Sequence, residues 1–352
     1  MLESNEKVRV VIAAPLAPEL CDRIAAVDPR VEVVADQQLL PPMRHAADFG
    51  CDPSWSRTPE QQNRYDALVD SAEILYGIPD VKPPALARTV AANPKLRWVM
   101  TMAAGGGSQV VAAGLPADTF DHIVFTTSAG AHGVPLAEWA LFGLFCGRKE
   151  LPRLQRQQRA HEWPTRIVGH PIEGSTVLIA GLGGIGQQVA KRCKALGMTV
   201  LGVKRQVSDV ENVDEVHALA DLDAIIGRAD HIVLTLPGTA QTEKLLNAHL
   251  LGLAKPGVTV VNVGRGTVID QNALIDALRS GQVGFAALDV FEREPLEADS
   301  PLWDLENVLV SPHSGGLDSK EDERICEIFC ENLKLYLAGR PLHNVVDPNL
   351  GY

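Results

Sequence analysis

A repeated alternation constrains this chain most. Short runs rich in Val, Ile and Leu are each followed by a longer stretch with helical spacing, and they fall into two series. Residues 8–14, 31–35, 73–77, 98–102 and 123–127 are five predicted strands; residues 176–180, 199–203, 231–236, 258–263, 284–290 and 308–311 are six more. Many of these runs are apolar on both faces, as strands buried within a parallel sheet must be. Strand–helix alternation implies parallel sheets with right-handed crossovers, and two series imply two α/β domains. Residues 135–148 read as a helix between the series, and 319–337 as an amphipathic helix stopped by Gly339 and Pro341 that returns to the first domain.

The length of 352 residues agrees with two cores. A formal net charge of −12 disfavours nucleic-acid backbones and anionic membranes, so an anionic ligand must be drawn in by local cations. The six cysteines (Cys21, Cys51, Cys146, Cys193, Cys326 and Cys330) form no CxxC pair, so no metal site is expected. Scattered cysteines in a long chain suit a reducing compartment. The start, with Glu3 and Glu6 before a short apolar run, is unlike a secretory signal, and no run approaches a membrane span. The expectation is a cytoplasmic protein. Residues 41–62 lack periodicity and read as a lid, an interface arm or a surface insertion.

The clearest local motif is Gly181-Leu182-Gly183-Gly184-Ile185-Gly186, placed between a predicted strand and a predicted helix. In that setting the glycines allow a tight turn, close approach of a pyrophosphate and close helix–strand packing, and the helix start offers free N–H groups. The next strand ends in Lys204-Arg205, where an NAD site would place an acid for the ribose hydroxyls. Two cations there suit a 2′-phosphate, so NADP(H) is favoured and NAD(H) stays open.

Three polar residues follow strand ends in the second series: Arg265, Glu294 and His313. That edge is where open α/β sheets bind ligands. Arg265 offers a planar fork to a carboxylate. His313 can donate a proton to a carbonyl oxygen as hydride arrives, and Glu294 can orient the ring. The set fits hydride transfer to a 2-oxo acid.

These segments, with Gly181–Gly186, Asn262–Gly266 (NVGRG), Leu288–Leu296 (LDVFEREPL) and Ser311–Gly316 (SPHSGG), resemble the D-isomer-specific 2-hydroxyacid dehydrogenases, glyoxylate/hydroxypyruvate reductases included. The resemblance implies two doubly wound parallel-sheet domains. One is a flavodoxin-like substrate domain, 1–128 plus 317–352; the other is a Rossmann cofactor domain, 129–316. It implies substrate binding by Arg265, support by Glu294 and acid/base action by His313. Asp289 would contact the nicotinamide amide, with Val134, Leu236, Pro237 and Val263 bordering the cofactor. Ala104, Gly105 and Gly106 match the loop whose amides hold the substrate carboxylate, although the triple glycine at 105–107 departs from the family and would widen or loosen it. A homodimer through the region near 130–150 is also implied. Formate chemistry is disfavoured, because formate enzymes carry glutamine where Glu294 stands. A phosphite dehydrogenase and a dinucleotide-sensing corepressor stay as alternatives.

Overall fold

A computed structural model describes residues 7–50, 52, 54–166 and 168–348. Glu3, Glu6 and Cys51 lie outside the described residues. The chain divides into two compact units, Met1–His132 with Leu317–Tyr352, and Gly133–Gly316.

The first unit contains β1 (Val8–Ile12), α1 (Pro18–Ala25), β2 (Val31–Val34), α2 (Pro59–Val69), β3 (Ile74–Tyr76), α3 (Pro83–Ala92), β4 (Trp98–Met100), α4 (Gly107–Ala112) and β5 (Val124–Thr126). The strands form a parallel sheet in the order β2-β1-β3-β4-β5. Strand order reverses between β1 and β3, which puts a crevice at their carboxyl ends. The C-terminal helix, Glu321–Leu337, packs against α1 and buries Ile325, Cys326, Phe329 and Leu333 in this unit's core. Phe329 stacks on Trp98, and the Trp98 indole N–H donates to Thr126 Oγ1 at 2.8 Å. The helix therefore completes a core begun more than 200 residues earlier, as the distance between Trp98 and Phe329 in the sequence records.

The second unit begins with α5 (Gly133–Arg148) and α6 (Leu151–Ala160). Next come β6 (Thr176–Ala180), α7 (Gly184–Ala195), β7 (Thr199–Val203), β8 (Glu215–His217), α8 (Leu222–Ile225) and β9 (His231–Leu234). It ends with α9 (Ala248–Leu253), β10 (Val258–Asn262), α10 (Gln271–Ser280), β11 (Val283–Leu288) and β12 (Val308–Val310). All seven strands are parallel, in the order β12-β11-β10-β9-β6-β7-β8. The order reverses between β6 and β9, and the glycine motif leaves β6 at that point. The eleven expected strands all form, shortened by a residue or more in most cases. β8 and α6 are additions that the sequence patterns did not flag.

One buried group in this sheet makes stability depend on pH. His231 is 1 % exposed, and neither ring nitrogen has a hydrogen-bond partner among the described residues. Desolvation, with help from the Arg148 charge, pushes its imidazole down to about 4. The unfolded value is about 6.5, so the neutral ring costs nothing above that pH and stability falls as pH drops from about 6.5 toward 4. At pH 5 the penalty is about 2 kcal/mol. His231→Leu is expected to shrink the fall in Tm between pH 7 and pH 5; an unchanged fall would assign the acid sensitivity elsewhere.

Candidate active site

In the second unit, the glycine turn between β6 and α7 shows why each glycine is there. Gly181 has φ +103°, a region costly to residues with a Cβ. A Cβ on Gly186 would overlap the Gly181 carbonyl, so only glycine lets α7 start this close to β6. A Cβ on Gly183 would meet no protein atom within 4 Å, and no side chain caps the start of α7. The turn is thus an open cradle whose first helical amides face no capping acceptor. A dinucleotide pyrophosphate fits that arrangement. Leu182 is buried, Ile185 is half-buried, and Gly184 opens the helix. Thr235, Leu236 and Pro237 follow β9, and the Thr235 hydroxyl donates to the Gly181 carbonyl at 2.7 Å. Val263 is buried after β10, and Val134 is exposed on the first turn of α5.

Lys204 follows β7. Its ammonium meets Ser208 Oγ at 3.0 Å and forms no ion pair among the described residues. Arg205 beside it is exposed.

The three polar residues expected from the sequence stand on three turns of this unit. After β10, Asn262 holds the turn by accepting from the Gly264 amide and donating to the Arg265 carbonyl, each at 3.0 Å. Gly264 and Gly266 leave no room for a Cβ against Leu236 and Phe291 backbone. The Arg265 side chain is exposed, hydrogen-bonds the Gly264 carbonyl at 2.8 Å, and has no carboxylate partner among the described residues. After β11, Glu294 Oε1 accepts from the Phe291 amide at 3.0 Å, leaving Oε2 for His313 Nδ1 at 2.7 Å. A carboxylate can only accept, so Nδ1 carries the proton and Nε2 is the atom free to exchange one.

Asp289 holds the His313 loop. Its carboxylate Oδ1 accepts from Ser311 Oγ at 2.6 Å and from the Ser314 and Gly315 amides at 2.9 and 2.8 Å. Its carbonyl accepts from the His313 amide at 2.9 Å. His313 is thereby fixed at φ +55°, a conformation that non-glycine residues adopt at a cost. Asp289 is 1 % exposed, and its other oxygen makes no hydrogen bond among the described residues. Sequence reasoning assigned Asp289 to a cofactor contact and missed this bracing, because the bonded residues lie more than 20 positions away.

In the first unit, the loop after β4 holds Ala104, Gly105 and Gly106. The amides of Ala104 and Gly105 donate to nothing among the described residues, whereas the Gly106 amide donates to the Ala103 carbonyl at 3.0 Å. A Cβ on Gly106 would overlap the Thr101 side chain, so the loop packs closely there only because the residue is glycine. His132 bonds buried Glu321 Oε1 at 2.6 Å. Glu292 pairs with Lys244 at 3.2 Å, and Arg293 is exposed. Among the described residues, no cluster of His, Cys, Asp and Glu is arranged to hold a metal, and no helix is long and apolar enough to cross a membrane.

Residues 142–315 match the family described as "D-isomer specific 2-hydroxyacid dehydrogenase, NAD binding domain". The sequence is 35 % identical over 262 residues to D-3-phosphoglycerate dehydrogenase of Mycobacterium tuberculosis, covering 74 % of this chain and 49 % of that protein. The chain therefore spans about half the length of those relatives. It is 34 % identical over 223 residues to the (S)-sulfolactate dehydrogenase of Chromohalobacter salexigens, covering 62 % of this chain and 71 % of that protein. Among solved structures, a D-isomer specific 2-hydroxyacid dehydrogenase from Xanthobacter autotrophicus in complex with NADPH and MES aligns with TM-score 0.75 and 28 % identity over 99 % of this chain and 100 % of the other. The NADPH-dependent glyoxylate/hydroxypyruvate reductase from Sinorhizobium meliloti, in complex with NADP and sulfate, aligns with TM-score 0.75 and 26 % identity over 98 % and 100 %.

Proposed function

The chain belongs to the D-isomer-specific 2-hydroxyacid dehydrogenase family, and from that premise we propose that it moves a hydride between NAD(P)H and a small 2-oxo acid, giving the D-2-hydroxy acid or the reverse. The observation that carries this reading is the 2.7 Å His313–Glu294 pair, in the same unit as an Arg265 guanidinium with no carboxylate partner among the described residues. A bound nicotinamide dinucleotide supplies or accepts the hydride. The second unit would hold it, with the Gly181–Gly186 cradle for the pyrophosphate and Leu236, Pro237, Val263, Val134 and Asp289 for the rest. Arg265 grips the substrate carboxylate. His313 passes its Nε2 proton to the carbonyl oxygen as that oxygen gathers charge. Glu294 holds the Nδ1 proton and stabilises the imidazolium, which gives up its Nε2 proton in reduction and forms by taking one in the reverse direction.

The test is oxidation of NADPH and NADH with glyoxylate, hydroxypyruvate and phenylpyruvate. Turnover supports the reading. Silence across the panel, with tight dinucleotide binding, would favour a sensor instead.

We assign the preferred cofactor as NADP(H). Support comes from Lys204, whose ammonium bonds Ser208 and forms no ion pair among the described residues, and from Arg205 beside it. Replacing Lys204 and Arg205 together by Ser is expected to raise KM for NADPH on the order of 100-fold, with KM for NADH little changed. Equal changes for both cofactors would remove the assignment.

We also read the protein as a cytoplasmic homodimer. Free thiols at Cys21, Cys146, Cys193, Cys326 and Cys330 suit a reducing compartment. Phe142 and Leu154 on α5 and α6, and Trp163 and Val168 beyond them, expose apolar surface that a second copy would cover. Light scattering is expected to give twice the chain mass; a monomer at micromolar concentration would contradict this.

A further inference from the structure

In the first unit, α1 and the C-terminal helix, Glu321–Leu337, pack side by side. A surface cavity of about 230 Å³ lies between them, lined by Arg23 of α1 and by Glu327, Cys330, Glu331 and Lys334 of the C-terminal helix. Cys330 is 6 % exposed, and the cavity gives it access to solvent. One helical turn earlier, Cys326 is fully buried. Its Sγ lies 4.0 Å from Cys330 Sγ and 3.7 Å from the Leu20 carbonyl.

This pair makes one thiol unlike the others. The single Cys326 proton has two acceptors in reach, and a hydrogen bond to an ionised acceptor is the stronger. The Cys326 thiol therefore holds the Cys330 thiol below the ordinary thiol range, and the Arg23 and Lys334 charges act in the same sense, against burial and Glu327. Burial pushes the thiols of Cys21, Cys146 and Cys193 up instead, Cys21 to about 11 and Cys193 to about 12. The thiolate is the nucleophilic form. Around it the cavity sets two cations and two carboxylates, with Arg23 Nη2 3.5 Å from Glu327 Oε1. That mixture suits a molecule with carboxylate and ammonium groups of its own.

We propose that Cys330 is a modification site for small disulfides whose ends carry both a carboxylate and an ammonium group. The Cys330 thiolate attacks one sulfur of the disulfide. A bond forms between Cys330 Sγ and that sulfur, the reagent's own S–S bond breaks, and its other half leaves as a thiolate that takes a proton from water. Cys330 is oxidised, and the released half is reduced. Arg23 and Lys334 receive the carboxylate of the half that stays, and Glu327 and Glu331 its ammonium group. Cys326 does not displace the adduct. Cβ atoms four residues apart on a helix are about 5–6 Å apart, whereas a disulfide needs about 3.5–4.5 Å. The mixed disulfide therefore persists until an outside thiol removes it.

The experiment mixes the reduced full-length protein with cystine, with cystamine, which lacks the carboxylates, or with dithiodiglycolate, which lacks the ammonium groups. Samples are quenched with acid, and each cysteine peptide is followed by mass spectrometry. Each rate is divided by that of the same disulfide with 2-mercaptoethanol, which removes differences in intrinsic reactivity. Cys330 is expected to be the first thiol modified, with a normalised rate for cystine about fivefold or more above the other two. Lys334→Gln should bring the cystine rate toward the cystamine rate. Cys326→Ala removes the donor and should slow all three by about tenfold, whereas Cys326→Ser keeps a donor and should retain most of the rate. If Cys326→Ala does not fold, the wild-type ratios and Lys334→Gln decide. Equal normalised rates for the three disulfides, or earlier modification of another cysteine, overturns the inference. Hydride transfer takes no part in the measurement, so the proposed function stands or falls separately.

Discussion

His313→Asn is expected to lower kcat for 2-oxo acid reduction by about 100- to 10,000-fold while dinucleotide affinity stays unchanged. Asparagine suits the test because it tolerates left-handed backbone, and residue 313 sits at φ +55°. The loop should keep its shape, since the bonds that hold it run through Asp289 to the 311, 313, 314 and 315 positions and spare the imidazole. What disappears is the proton at Nε2, the atom left free when Nδ1 bonds Glu294. Glu294→Gln should give a smaller loss, because an amide can present its N–H to Nδ1 and select the wrong tautomer. Stopped-flow hydride transfer and fluorescence titration of NADPH separate the chemical step from binding. An unchanged kcat in His313→Asn would remove His313 from the reaction.

The second large effect concerns Arg265. Two charge-assisted hydrogen bonds to a carboxylate at about 1.5–3 kcal/mol each predict that Arg265→Ala lowers kcat/KM by about 100- to 10,000-fold. Arg265→Lys keeps the charge but loses the planar fork, and should fall between the two. The side chain is exposed and bonds only the neighbouring Gly264 carbonyl, so its removal should leave stability nearly intact. A change in Tm as large as the change in activity would indicate a structural role. Equal kinetic losses for Lys and Ala would indicate that the fork does not matter.

What could be read from the sequence was local. The glycine motif is legible because a turn, a close approach and an open cradle are all set within six residues, Gly181 to Gly186. The strands are legible because burial on both faces writes continuous apolar runs. β8 was not, being a three-residue edge strand of sequence EVH, half-buried and paired only with β7. α6 was not, because none of its residues is buried and no apolar stripe marks it. Residues 41–62 gave no pattern because their organisation is long-range. Arg57 answers to Leu39, Tyr65 and Asp80, and the Ala47 amide to Asp322. The catalytic candidates were named from their positions after strand ends. The Asp289 bracing and the His132–Glu321 bond depend on folding and left no local trace.

The central claim is hydride transfer to a 2-oxo acid with one stereochemical outcome. The most direct measurement is to incubate the purified protein with NADPH and hydroxypyruvate, follow cofactor oxidation and determine the configuration of the glycerate formed. The account predicts one D-glycerate for each NADPH oxidised. Formation of the L-isomer, or no oxidation by a protein that binds NADPH, would contradict it.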